Sequence, residues 1–401
     1  MSRKKKTTRK RSKRKRPSRR SRIAAWSAAF LFLTGGAIAA LFLFQGERRT
    51  LAPSQPAYEE VHSRLPALQE EIGRIDRAVY DVLYRWGIYE SDILFTDVGH
   101  RIEDGDTWDF TEITVHLPDD EIRRRVGTEL RVELEELEPA VTFRRDEENR
   151  GEAGYRVHAR GRYTHRIRLL LPGPPKPPPA RRLPRVAIII DDLGYDRALA
   201  RAFASLDIPV SLSVLPMAPR TADVAAEAGR KGRELMLHLP MEPKGYPELN
   251  PGPGALLNNM GRKEILDLVA RHVGQVPGAR GVNNHMGSSF TELEDKVTVV
   301  MEELSREGLF FVDSKTTGRS VAYSLACKMG VPAASRSVFL DNEPTSRSIG
   351  IQVERLLGIA RHRGTAVGIA HPFPGTLKAL KEEGARLRNA VEIVTVSEVV
   401  E

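Results

Sequence analysis

Acidic and imidazole side chains end several apolar stretches in the second half of this 401-residue chain. They are Asp191, Asp192, His238, His285, Asp313 and His371. Short apolar runs rich in β-branched residues are typical of buried strands in a parallel sheet, and such sheets bind ligands beyond the carboxyl ends of their strands. Any one of these residues has a structural explanation, as a helix cap or a hydrogen-bonded histidine. Their shared position nevertheless predicts a site at one rim.

The residue types at this rim suit a hydrolytic metal ion. One carboxylate and two imidazoles with an open coordination position are typical of catalytic zinc, which lowers the pKa of a bound water. Ligands without sulfur also accept Co²⁺, Ni²⁺, Mn²⁺ or Fe²⁺. Two adjacent carboxylates repel each other unless a cation or a proton separates them. The aspartate of the pair that does not bind the ion then serves as general base, and a further histidine serves as acid for the leaving group.

Alternating strands and helices must position these side chains. The strands are predicted at 186–190, 209–215, 234–238, 279–283, 309–313, 331–335, 365–370 and 391–396. Helices are predicted near 196–205, 219–231, 262–276, 291–307, 318–329, 347–363 and 376–386. This alternation indicates an α/β fold whose parallel sheet is closed or nearly closed into a barrel. No glycine-rich phosphate-binding motif follows any strand, which argues against a nucleotide-dependent enzyme.

Residues 185–398 resemble the divergent polysaccharide deacetylase family, a distant branch of the carbohydrate esterases with a NodB homology domain. The apolar strand followed by Asp-Asp, Ile188 to Gly194, matches the opening motif. Gly232 to His238 fits the second motif, Gly-x-Glu-x-x-x-His. Asn283 to Ser288 matches the Asn-Asn-His-Met-Gly-Ser segment of the divergent branch, and His371-Pro372 resembles the last motif. The resemblance implies a distorted (β/α) barrel of NodB-like type and metal-assisted deacetylation.

The same resemblance implies roles for individual residues. Asp191 matches the position of the catalytic base, and His371 matches the position of the histidine that acts as acid. Asp192 and His238 match the positions of metal ligands. The expected cofactor is therefore one divalent ion, with zinc preferred.

One motif departs from the usual family pattern, which has a second histidine four residues after the first. This chain has Glu242 at that position, and we carry the missing imidazole over to His285 as a hypothesis. Glu242 itself, Asp313 and Asn284 are further candidates for substrate contact or for support of a ligand, although Asp313 is equally well placed to cap the next helix.

The amino terminus has the composition of a membrane anchor. Residues 1–22 contain 14 Lys or Arg and no acid, and residues 23–44 contain no charge. A helix over 23–44 spans roughly 33 Å, enough for the hydrocarbon core. The basic tail is expected to stay cytoplasmic, which places the rest of this single-pass protein on the periplasmic side or at the cell surface. A cleaved signal peptide is the alternative, although its apolar region usually has only about 7–15 residues.

The chain after the anchor divides by composition. It has 48 basic and 53 acidic residues beyond residue 22, which gives no support to nucleic-acid binding by the folded part. Residues 45–57 are predicted to be a tether, and 58–171 a small α+β module that acts as a spacer or binds an envelope protein. The proline-rich segment 172–184 is predicted to be a linker before the deacetylase-like domain, 185–401.

The predicted function is hydrolysis of N- or O-acetyl groups from a glycan by metal-activated water. The expected partners are this glycan, the lipid bilayer through residues 23–44 and an envelope protein through 58–171. Because the usual second histidine is missing, the alternative is a non-catalytic glycan-binding or envelope-scaffolding protein with the same fold. Glycoside cleavage by two carboxylates is less favoured, since the rim offers more imidazoles than that reaction requires.

Overall fold

The computed structural model describes residues 66–88, 92–103, 106–149, 152–171 and 183–401. The predicted basic tail, membrane anchor and tether lie outside these ranges, as does most of the predicted linker. None of the helices in the described ranges has both the length and the apolar character that crossing a membrane requires. All the described residues fall within one compact unit.

The first part of the described chain is a five-stranded sheet with two helices. Its elements are α1 (Pro66–Arg85), β1 (Ile93–Glu103), β2 (Asp106–His116), α2 (Asp120–Glu135), β3 (Val141–Asn149), β4 (Glu152–Ala159) and β5 (Arg162–Leu170). The strand order is β1-β2-β5-β4-β3, in which β2 and β5 are parallel and the other neighbours are antiparallel. These elements form an α+β arrangement, called the α+β module below.

Local sequence signals account for most of this module. The apolar residues that recur at helical spacing in α1 are buried: Leu68, Ile72, Ile75 and Val79. Helix α2 begins after Asp119, whose side chain accepts a hydrogen bond from the Ile122 N–H at 2.8 Å. Strand β1 has no clear alternation in the sequence. Its pairing with β2 along almost its whole length makes it a strand.

Apolar and polar residues alternate over Tyr155–Leu171, and this stretch forms a hairpin of two strands. It contains the end of β4 and all of β5, which pair antiparallel. The turn between them places Arg160 at φ 48° and Gly161 at φ 81°, the left-handed conformations that a tight hairpin turn requires.

The second part of the chain is a parallel sheet with helices between its strands. Its strands are β6 (Arg185–Leu193), β7 (Ser211–Val214), β8 (Leu235–Met241), β9 (Gly281–Met286), β10 (Phe310–Asp313), β11 (Ala333–Ser335), β12 (Val338–Phe339), β13 (Thr365–Ala370) and β14 (Glu392–Val394). Its helices are α3 (Arg197–Ala204), α4 (Thr221–Arg230), α5 (Arg262–Gln275), α6 (Glu294–Glu307), α7 (Ala322–Lys328), α8 (Ser346–Arg363) and α9 (Pro374–Ala390).

Strand β6 lies in the middle of this sheet, whose order is β11-β10-β9-β8-β7-β6-β13-β12, with β14 also paired to β6. The fully buried run Val186 to Ile190 explains why this strand is central. Within the described residues no ladder joins β11 to β12, so the curled sheet stays open there. The predicted distorted (β/α) barrel is confirmed, with β12 as a short strand that the sequence did not indicate.

The α+β module packs against the barrel rather than standing apart from it. Helix α1 contacts α8, and Asp76 of α1 pairs with Arg355 of α8 at 2.6 Å while both side chains are buried. His165 of β5 lies 3.2 Å from the same carboxylate. Burial raises the pKa of Asp76, but Arg355 and His165 outweigh it and hold the pKa below its ordinary value. This buried charge pair joins the two parts of the fold.

Candidate active site

A bulge at the end of β6 brings two adjacent carboxylates to the same side of the sheet. Side chains of successive strand residues normally point to opposite faces. The pairing of β6 with β7 is regular up to Ile190 and resumes at Leu193, so that Asp191 and Asp192 together face a single residue of β7. Asp192 has φ 54°, a left-handed conformation that aspartate tolerates better than most residues. Both carboxylates therefore face the rim.

Asp192, His238 and His285 form a buried triangle at this rim. Asp192 Oδ1 lies 2.9 Å from His238 Nε2 and 2.9 Å from His285 Nδ1. The two ring nitrogens are 3.2 Å apart. All three side chains are completely buried. Among the acidic, histidine and cysteine side chains of the described ranges, these three form the group whose ligand atoms lie close enough together to hold one metal ion.

The triangle fits a divalent cation. Ligand atoms at about 2.0–2.1 Å from a tetrahedral zinc ion are separated by roughly 3.3 Å, close to the observed spacings. Neither oxygen of Asp192 has a hydrogen-bond partner of acceptable alignment in the described part of the chain, although both are buried. Unpaired buried carboxylate oxygens are costly unless a cation neutralises them. Three facing lone-pair atoms, with no fourth ligand atom from the part of the chain that the structure describes, match a site with an open coordination position.

Asn283 connects the metal triangle to Asp191, the aspartate of the pair that lies outside the triangle. Its Nδ2 donates to both oxygens of Asp191, at 2.9 and 2.8 Å. Since a carboxylate only accepts, this contact turns Asn283 Oδ1 towards His238, whose Nδ1 lies 3.1 Å away and must carry the proton. The Nε2 lone pair of His238 is thereby directed at Asp192, as metal binding requires.

Sequence reasoning missed Asn283 and proposed its neighbour Asn284. The signal was present, because residues two apart in a strand share a face and Asn283 is two residues before His285 in β9. Asn283 is also the register partner of His238 across β8 and β9. Because Asn283 shares a strand face with His285 and lies opposite His238, it is placed between these two ligands, whereas Asn284 points away from them.

We expect Asn283→Ala to weaken metal affinity and activity by about 10–100-fold, the usual effect of losing a group that orients a ligand. The free energy of unfolding should also fall by about 1–3 kcal/mol, because buried partners lose their hydrogen bonds. Competition with a chelator and urea denaturation measure these two effects. Asn258→Ala is the control, since Asn258 lies at the same rim but bonds Glu242. Equal metal affinity in Asn283→Ala and wild type would exclude the orienting role.

His371 and Asp341 form a second polar pair at the rim. His371 follows β13, and its Nδ1 lies 2.9 Å from Asp341 Oδ1, so the Nδ1–H donates to the carboxylate. The backbone N–H of His371 and Thr376 Oγ1 both donate to Asp341 Oδ2, at 2.6 and 2.7 Å. The ring is thus held in one orientation, with Nε2 as the atom that exchanges a proton.

The two aspartates have different electrostatic environments. Burial raises the pKa of Asp191 above its ordinary value, which His238 and His371 only partly offset. Burial also raises the pKa of Asp192, but attraction to His285 and His238 outweighs it and lowers the pKa. Asp192 therefore stays ionised as a ligand requires, while Asp191 is the more basic carboxylate. Opposite shifts in adjacent acids are typical of groups with different catalytic roles.

Comparison with known proteins decides the family. A model of the divergent polysaccharide deacetylase family matches residues 188–400, more than half of this chain. The chain belongs to this family. The uncharacterized protein YibQ of Escherichia coli (strain K12) is 34% identical over 213 residues, which are 53% of this chain and 66% of that protein. An uncharacterized protein of Haemophilus influenzae is 34% identical over 208 residues, 52% of this chain and 72% of that protein.

A crystal structure of an uncharacterized protein from Agrobacterium tumefaciens C58 is also similar, with 31% identity and a TM-score of 0.52. The match covers 56% of this chain and 92% of that protein. The chain spans about two thirds of the length of the E. coli relative, so the comparison concerns only that part of it.

The glutamate of the second deacetylase motif lies away from the site. Glu234 precedes β8 and accepts hydrogen bonds from Ser211 Oγ at 2.7 Å and from the Val396 N–H at 2.8 Å. It therefore stabilises the carboxyl-terminal segment at the opposite end of the sheet. Among the described residues of this motif, His238 is the one that belongs to the metal triangle.

Glu242 and Asp313, two candidates from the sequence, contact loops of this divergent deacetylase barrel. The Glu242 carboxylate accepts from the backbone and side-chain N–H groups of Asn258, both at 2.8 Å. Asp313 accepts from the Lys315 N–H at 2.8 Å and from Ser320 Oγ at 2.7 Å. Glu242 thus fastens the loop of residues 243–259, which follows β8, and Asp313 orders the segment leading into α7.

Asn284, the third candidate, also shapes a loop. It donates to the Met286 carbonyl oxygen at 2.7 Å and accepts from the Ser314 N–H at 2.9 Å. Met286 has φ 53°, so the Asn284 side chain helps to hold a strained residue directly after His285. Asn284 therefore affects the site through the backbone of β9, the strand that carries His285.

Proposed function

We propose that this protein removes acetyl groups from an amino-sugar glycan by hydrolysis. The observation that carries the proposal is the Asp192–His238–His285 triangle with Asp191 on one side and the Asp341–His371 pair nearby. Membership of the divergent polysaccharide deacetylase family supports a glycan as the substrate. We also propose that residues 23–44 anchor the protein and place this site outside the cytoplasm, where envelope glycans are found.

Asp192, His238 and His285 would hold the divalent ion. When bound, the ion supplies Lewis-acid polarisation of the acetyl carbonyl and of the attacking water. Asp191 takes the proton from the water during its attack on the carbonyl carbon. Asn283 keeps the Asp191 carboxylate in a fixed orientation for this step, because it donates to both oxygens.

His371 completes the reaction by donating a proton to the departing nitrogen. The C–N bond of the tetrahedral adduct breaks, the amine leaves with this proton, and acetate remains. Asp341 stabilises the protonated ring and aligns it, as a carboxylate does for a histidine that acts as acid. Attraction between a charged His371 ring and the Asp191 carboxylate lowers the pKa of Asp191, so the two groups interact electrostatically.

The structure makes the non-catalytic alternative less attractive. That alternative rests on the histidine missing from the second motif, where Glu242 stands instead. His285 supplies an imidazole to the triangle from the neighbouring strand β9. Cleavage of a glycosidic bond by Asp191 and Asp192 is also disfavoured, since Asp192 faces two imidazoles rather than open space.

Release of acetate from N-acetylated glycans by the full-length protein tests the function. The assay compares protein stripped by a chelator with protein reloaded with Zn²⁺, Co²⁺ or Mn²⁺. Turnover that disappears on stripping and returns with metal supports the proposal. Glycan binding without acetate release under every metal would support the non-catalytic alternative.

We expect His371→Ala to lower kcat on an N-acetyl substrate by about 10²-fold, because an amine leaves poorly without a proton. An aryl acetate ester has a leaving group that needs no acid, so its hydrolysis should change much less. Metal content should equal that of the wild type. A uniform loss on both substrates would assign His371 to binding or structure instead.

A further inference from the structure

The loop that carries Asp341 is pressed against the start of α9 on one side. A Cβ on Gly375 would lie 2.1 Å from the Pro344 carbonyl oxygen, so glycine is needed for this close approach. Thr376, the next residue, donates to Asp341 at 2.7 Å. Any shift of the segment 341–345 therefore moves the carboxylate that orients His371.

The other side of this loop meets helix α1 of the α+β module. Arg77 of α1 forms an ion pair with Glu343. A Cβ on Gly73, one helical turn earlier, would lie 2.7 Å from Glu343 Oε1. Glycine inside a helix is destabilising relative to alanine, and this close contact gives a packing reason for it. Ser348 Oγ donates to the same carboxylate at 2.7 Å.

The loop is not tightly packed on this side. A cavity of about 200 Å³ lies beside the contact. Its lining includes Ile72 and Ile351 as well as the polar residues Gln69, Asp76, Asn342, Gln352 and Arg355. The ion pair with Arg77 and the Ser348 hydrogen bond are thus the contacts that tie the Glu343 side chain to α1 and α8.

We propose that Arg77 is a positioning residue for the acid histidine. It holds Glu343, Glu343 holds the loop 341–345, and the loop holds Asp341 against His371. Through Arg77, the α+β module helps to orient the acid histidine and is more than a spacer. The inference rests on the proposed function, since it concerns the histidine assigned there as acid.

Two measurements on the full-length protein test this inference, and only one needs turnover. The first is the ¹⁵N spectrum of the imidazole rings, in which His371→Gln identifies the signal of His371. The second is kcat and KM on an N-acetylated glycan. The variants are Arg77→Ala, the milder Glu343→Gln, and the charge exchange Arg77→Glu with Glu343→Arg. The control is Arg74→Ala, because Arg74 pairs with Glu71 on the same helix at 2.8 Å.

The Arg77→Ala and Glu343→Gln variants should shift the His371 ring signal and lower kcat about tenfold, with KM within about twofold of wild type and metal content unchanged. The charge exchange should restore both readouts, and Arg74→Ala should leave both at the wild-type values. An unshifted His371 signal in both Arg77→Ala and Glu343→Gln, or failure of the exchange to restore it, would overturn the inference. Absence of turnover in the wild type would refute the proposed function, while the ring signal still decides the role of Arg77.

Discussion

Asp192→Ala is expected to remove both the bound metal and measurable turnover. Asp192 Oδ1 is the only anionic member of the triangle and lies 2.9 Å from each ligand nitrogen. Without it, two neutral imidazoles must hold a divalent charge alone in a buried site. Loss of the ion removes several kcal/mol of charge stabilisation, which corresponds to a rate decrease of about 10³-fold or more.

Elemental analysis and the acetate-release assay measure these two losses in the same sample. Glu242→Gln is a matched control, because it changes a rim carboxylate that binds Asn258 rather than a ligand. The control should retain one equivalent of metal. A full equivalent in Asp192→Ala, or an empty site in wild type after metal loading, would show that these three side chains do not form the metal centre.

Asp191→Asn is expected to lower kcat by about 10³-fold while the metal stays bound. The change preserves the shape of the side chain and one hydrogen bond from Asn283, but removes the group that accepts the proton. Asp191 is not a corner of the ligand triangle, so metal affinity should fall by much less than in Asp192→Ala. Both N-acetyl and ester substrates should be affected, because each reaction needs the water to lose a proton.

The exchange of Asp191→Asn with Asn283→Asp separates proton transfer from network stability. It keeps one carboxylate and one amide in contact, since the two side chains face each other at 2.8–2.9 Å. Stability should recover relative to the single variants, but activity should remain low because the base has moved to the wrong position. Wild-type activity in the exchanged protein would show that the hydrogen bond, and not the place of Asp191, is what matters.

Much of the barrel follows from local features of the sequence. Runs such as Val186 to Ile190 are short, apolar and fully buried, and amphipathic stretches separate them. Burial on both faces makes such a run a strand in almost any packing, so strand positions and the residues at strand ends are accessible to sequence reasoning. Strand β12, with only two residues, has too little pattern to be recognised.

Which of two neighbouring residues faces the site was less predictable from the sequence. In β9, alternation alone favours Asn283 over Asn284 as the companion of His285, and this signal was overlooked. The pair Asp191 and Asp192 is different, because alternation would place only one of them at the rim. The bulge between β6 and β7 changes this, and it depends on the register of two strands rather than on either sequence.

Contacts between distant segments were beyond the sequence altogether. Asp341 and His371 are 30 residues apart, and Arg77 and Glu343 are 266 residues apart. The sequence by itself determined the strands, the helices and the chemical types that meet at the rim, because apolar periodicity and residue chemistry are local properties. Only the tertiary structure decided how both carboxylates of the adjacent pair reach the rim and which helix supports the acid histidine. Those choices depend on strand register and on the packing of α1 against the barrel, which result from the whole chain folding together.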